Sequence, residues 1–97
     1  MSEESEVQPV ARRRVVTYPT VGGSIHTVWV DEEILTEAIS AGVDVTNLMW
    51  PLLERFAREH NVKMLPSGKM PWKSATGLSK GDVADIVLRR ATQDRLP

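Results

Sequence analysis

The stretch SIHTVWVDEE, residues 24–33, decides the fold. Its β-branched residues alternate, with Val28 and Val30 on one face of a strand and Ile25, Thr27 and Trp29 on the other. Asp31 then stands where a helix N-cap belongs. Glu32 and Glu33 fall in the first turn, where exposed amides and the helix dipole favour negative charge. The strand thus runs straight into a helix, and no second strand follows it. An isolated strand from Ile25 to Val30 leaves its backbone donors and acceptors unpaired, so it needs a mate. Two are available: Val15 to Tyr18, folded back through the turn signal Gly22-Gly23, or the same strand of a second chain across a two-fold axis.

Beyond the strand the spacing is helical. Ile34, Leu35, Ala38 and Ile39 recur on one face, and Gly42 ends that helix as a left-handed C-cap. Asp44 or Thr46 caps a second helix, whose apolar stripe is Leu48, Met49, Leu52, Leu53, Phe56 and Ala57, with Pro51 tolerated near its first turn. His60 and Asn61 close it, and a histidine in a last turn complements the dipole, so it receives no catalytic role. Residues 62–78, with two prolines and two glycines among lysines, read as a loop held by two apolar anchors, Met64-Leu65 and Met70 with Trp72. A basic, aromatic-bearing loop also suits nucleic acid, but a lone tryptophan among three lysines argues more for a core anchor. Ser79 and Asp82 make an S-x-x-D cap for a C-terminal helix within residues 79–97, with Val83, Ile86 and Val87 on one side.

Charge is blocked along the chain while the total is only −1. Residues 1–11 carry three glutamates and no base, Arg12, Arg13 and Arg14 follow, residues 31–60 are acidic, and 61–97 are basic. The first eleven residues offer nothing to pack and read as a disordered tail, and 12–24 read as a basic arm with a turn. The chain has no cysteine, and its two histidines, His26 and His60, lie far apart, so neither a disulfide framework nor a metal site is expected. No apolar run reaches membrane-spanning length and the N-terminus is acidic, so a cytoplasmic protein is expected.

Thr27 to Glu59 resembles a ribbon-helix-helix domain. The aspartate ending the strand, the A-x-x-x-G-V-D-V-T-x-L turn and the Ala57-Arg58-Glu59 close of the second helix are similar to the CcdA-type antitoxin branch. The resemblance covers about a third of the chain. It implies a mainly α fold with a short β-ribbon: an intertwined homodimer over residues 25–61, with a C-terminal helix outside it. Val28, Val30, Leu35, Ala38, Leu48, Leu52 and Phe56 would form the dimer core, and His26 would lie half-buried on the inner side. Ile25, Thr27 and Trp29 would face the DNA major groove, and Thr46 and Asn47 would clamp a phosphate with free helix amides. Arg12, Arg13 and Arg14 would add sequence-independent phosphate contacts.

Two functions follow. One is a dimeric, sequence-specific DNA-binding transcriptional regulator, an antitoxin autorepressor within that branch, with a toxin or other protein as partner for residues 62–97. The other is a small interaction module, a host- or toxin-binding inhibitor that docks Trp29, Trp72 or the C-terminal helix on another protein. Family ribbons read bases with donors and acceptors, whereas here only Thr27 is a clear reader and a tryptophan suits a protein contact. No enzyme is expected: the acids fall where caps and solvated faces explain them, and neither a nucleophile nor a cofactor motif is present.

Overall fold

The computed structural model describes residues 12–96, so the tail expected over 1–11 lies outside the described residues. In chain order the elements are β1 (Arg13–Pro19), β2 (Ile25–Asp31), α1 (Glu32–Ser40), α2 (Val45–Glu59), α3 (Trp72–Thr76) and α4 (Lys80–Arg95). The described residues are thus mainly helical with a two-stranded antiparallel ribbon. Among the described residues no helix is long and apolar enough to cross a membrane.

The mate of β2 is β1. Arg13 pairs with Asp31, Val16 with Val28 and Pro19 with Ile25, so the basic arm expected over residues 12–24 is largely a strand, and the strand expected to pair with a twin chain pairs within its own. The glycine turn makes this feasible: Thr20 N–H donates to Ser24 O at 2.9 Å, Gly23 N–H donates to Thr20 O at 3.0 Å, and Gly23 takes φ +87°. At the far end of the ribbon Glu32 N–H donates to Arg12 O at 2.9 Å. Antiparallel strands alternate bonded and non-bonded pairs, so the backbone groups of Ile25, Thr27, Trp29 and Asp31 point away from β1.

The period-two alternation sorts the ribbon's faces as read from sequence. Val16, Tyr18, Val28 and Val30 are buried beneath it, while Val15, Thr17, Ile25, Thr27 and Trp29 face outward. Three helices cover the inner face, α2 against β1 and α4 against β2, with α1 packed on α4. Asp31 caps α1, its carboxylate accepting from Ile34 N–H at 3.0 Å. The helix ends in a Schellman turn, with Val43 N–H donating to Ala38 O, Gly42 N–H donating to Ile39 O and Gly42 at φ +87°. Arg95 at the end of α4 lies over that glycine and donates from Nε to Ala41 O at 3.1 Å, giving the carbonyl end of α1 a cation.

Of the residues expected to form a dimer core, Val28, Val30, Ala38 and Phe56 are buried within this one chain, Leu35 and Leu52 are partly buried against the same core, and Leu48 is exposed. Met49, Leu53, Phe56 and Ala57 of the expected α2 stripe are buried, joined by Val45 and Trp50, while Leu52 is partly buried and Leu48 is exposed. Pro51 sits in the second turn of a helix that begins at Val45, further in than expected. The C-terminal helix is part of the core: Val83, Ala84, Val87 and Leu88 are buried, and the Ser79–Asp82 capping box forms as read. In the connecting loop Trp72 is an anchor and Met70 packs against the core, but Met64 and Leu65 are exposed because the chain from Lys63 to Gly68 turns away over the surface.

Candidate binding cleft

The outer edge of β2 has two halves. Near Asp31 it is closed. Asp31 N–H donates to Asp85 Oδ1 at 2.8 Å, and Gly81 approaches so closely that a Cβ there would lie 2.7 Å from the Trp29 carbonyl oxygen. The Arg13 guanidinium reaches across to the same carbonyl at 3.3 Å and to Asp85 Oδ2 at 2.9 Å. Near Ile25 the edge opens into a cleft of about 1030 Å³ between β2, α2, the loop entering α3 and the start of α4.

The cleft floor is aromatic. Tyr18, Trp50 and Trp72 are 1%, 6% and 5% exposed, with Leu53 and Met70 between them. His26 meets Tyr18 and Trp50 edge-on, with centroids 6.0 and 6.2 Å apart. The rim is cationic: Lys69, Lys73 and Lys80 line it, and among the described residues no aspartate or glutamate does. Lys80 Nζ donates to Thr27 O at 3.0 Å and lies 5.2 Å from the centre of the Tyr18 ring. Burial first, and then the charge of Lys69, holds Lys80 below the usual lysine value. Burial pushes the Tyr18 phenol up to about 12. Tyr18 Oη and Trp50 Nε1 are fully buried and find no hydrogen-bond partner among the described residues. Buried polar atoms are nearly always paired, so these two stand out.

The residues expected to contact DNA are not gathered into one surface. Ile25, Thr27 and Trp29 share the outer ribbon face, where Ile25 and Trp29 are 64% and 58% exposed. Arg13 is held by Asp85, with Asp82 at 3.8 Å, and Arg14 by Glu32 at 3.2 Å, while Arg12 is exposed. At the start of α2 the Asp44 carboxylate accepts from both Asn47 N–H and Asn47 Nδ2, so the expected phosphate position already faces an anion, and Thr46 is exposed beside it. His26 is half-buried on the inner side, as the sequence indicated, and His60 stacks on Phe56 at 4.1 Å.

The cleft itself escaped the sequence reading. Its signal is the run Lys69-Met70-Pro71-Trp72-Lys73, which is both a core anchor through Trp72 and a charged rim through Lys69 and Lys73. Trp50, a floor residue, lies outside the apolar stripe expected for α2 and is buried. No family model matches this chain, and neither the curated proteins nor the solved structures searched contain a match.

Proposed function

We propose that this protein is a non-catalytic interaction module that draws an anionic segment of a partner protein into the cleft beside β2. The observation that carries this reading is the convergence of Lys69, Lys73 and Lys80 over a floor of Tyr18, Trp50 and Trp72. Three like charges on one rim raise the local potential and attract an anion, and the accessible Ile25 and half-buried Met70 beside the floor supply apolar area to bury once it arrives.

A nucleic-acid partner receives less support. Single strands are held by stacking bases on exposed ring faces, and the three floor aromatics present almost none. For the ribbon-type regulator, two of the three arginines that would meet phosphates are engaged by carboxylates, and the outer ribbon face offers bases little beyond Thr17 and Thr27.

Lys69→Glu and Lys73→Glu together, both at exposed positions, test the reading. A protein captured by the full wild-type chain should be lost with the double variant while circular dichroism stays unchanged. Fluorescence anisotropy with labelled duplex DNA provides the opposing measurement. Tight, salt-dependent duplex binding that disappears on replacing Arg12, Arg13 and Arg14 with alanine, yet ignores the lysine variants, would establish the regulator instead.

A further inference from the structure

We infer that the occupant of the cleft is an extended acidic peptide that adds as a third strand to the edge of β2 at Ile25–Thr27, an inference that rests on the reading of the cleft as an anion-attracting site. The ladder with β1 leaves the N–H and C=O groups of Ile25 and Thr27 pointing outward, along the open half of the edge. Among the described residues, only the Thr27 carbonyl has a partner, Lys80 Nζ. Alternating donors and acceptors at strand spacing are what an extended backbone recognises, and what neither a phosphate nor a base requires.

The remaining parts of the cleft suit the same occupant. Successive side chains of an added strand alternate in direction. One set would point inward over Trp50, Leu53 and Trp72, into the cleft they line. The lysines on the rim offer their ammonium groups to carboxylates. The site also has a stop. Gly81 against the Trp29 carbonyl, with Asp85 on the Asp31 amide, closes the edge immediately beyond Thr27, so an added strand is short and must turn away or end beside Lys80.

The probe is a random heptapeptide library displayed with free C-termini and selected on the full chain, followed by titration of the best synthetic peptide into isotopically labelled protein. The expected peptides carry acidic and apolar residues in alternation. They should shift and protect the Ile25 and Thr27 amides, and lose about tenfold in affinity with Lys69→Gln combined with Lys73→Gln. Thr27→Pro removes a donor that points away from the ladder and should abolish binding, while Thr17→Pro on the opposite edge should leave it intact. Should the proline variants unfold, the amide shifts still decide.

Peptides that shift Val15 and Thr17, or that bind the lysine variants unchanged, overturn the inference. Failure to select any peptide, combined with lysine-dependent binding of an oligothymidylate in the cleft, overturns the peptide while sparing an anion-binding cleft. Failure of both probes removes the cleft reading itself.

Discussion

Asp31 and Asp85, far apart in the chain, meet where the ribbon becomes a helix: the Asp31 amide donates to Asp85 Oδ1 at 2.8 Å. The other oxygen of that carboxylate accepts from Arg13 at 2.9 Å, so one side chain on α4 ties both strands to the last helix. It does so from a largely buried position, where an unpaired amide would be costly. The same contact closes one half of the edge of β2. Sheet growth is thereby confined to the half that opens into the cleft.

Asp85→Ala should therefore destabilise the fold by about 1–3 kcal/mol, because it strands the Asp31 amide and frees Arg13. Asp85→Asn retains an acceptor for the amide and loses the charge and the hydrogen bond to Arg13, which is partly exposed and can turn to water, so its cost should be smaller. Urea denaturation of the two variants checks this. Equal losses would mean that the ion pair with Arg13, rather than the amide contact, holds α4 in place.

Gly81→Ala should lower stability even though it puts a better helix former into α4. In an open helix this exchange stabilises by roughly 0.5–1 kcal/mol. Here the new Cβ would lie 2.7 Å from the Trp29 carbonyl oxygen, a backbone atom that cannot move without shifting β2. Overpacking of this kind costs about 1–3 kcal/mol, which outweighs the gain in propensity. Gly22→Ala, where a Cβ meets nothing within 4 Å, is the matched control and should be close to neutral. Thermal melts that place Gly81→Ala at or above the wild type would show that α4 does not hold the approach described.

These two sites also show where the sequence is legible and where it is not. The period-two pattern of residues 25–30 identified the inner and outer faces of the ribbon, and Asp31, Asp44 and Ser79 announced their helix starts, because caps and alternation are local chemistry. The partner of β2 was a choice between two mates that local chemistry treats alike. The covering of its outer edge by Gly81 and Asp85 is a contact across more than fifty residues. Nothing within reach of residues 25–33 encodes it. The cleft was hidden for the same reason, since Tyr18, Trp50 and Lys80 come from three separate elements and acquire a shared function only once packed.

Acid should unfold the protein partly through its last helix. The Asp82 carboxylate accepts from the Ser79 amide and receives the capping box of α4, and these bonds, before the charges of Arg13 and Lys73, hold it below the usual aspartate range. A carboxyl lowered in the folded state stabilises above its unfolded pKa, near 4, and that contribution is lost as the pH falls through the lowered folded value. Between about pH 5 and 2 the melting temperature of Asp82→Asn should therefore fall less steeply than that of the wild type. Ser79→Ala should cost about 1 kcal/mol at neutral pH through loss of the cap. Parallel acid limbs in wild type and Asp82→Asn would transfer the effect to other carboxylates, Glu59 among them, which Arg90 holds low.

Alkali should reveal the cleft floor, because the chain has a single tyrosine and its ionisation can be followed by absorbance without ambiguity. Burial beneath the ribbon raises the Tyr18 phenol to about 12, whereas in the unfolded chain it titrates near 10. A group raised in the folded state gives stability that is fully present below its unfolded value and is lost as the pH rises through the folded one. Stability should accordingly decline from about pH 10 upward, and the phenolate signal should appear late, or abruptly together with unfolding. Trp50→Phe retains most of the apolar cover and should leave the midpoint high, whereas Trp50→Ala opens the floor to water and should bring it toward 10. A wild-type midpoint near 10 in the intact fold would mean that water reaches the Tyr18 hydroxyl, and that the floor of the cleft is not the dry surface on which an inserted side chain depends.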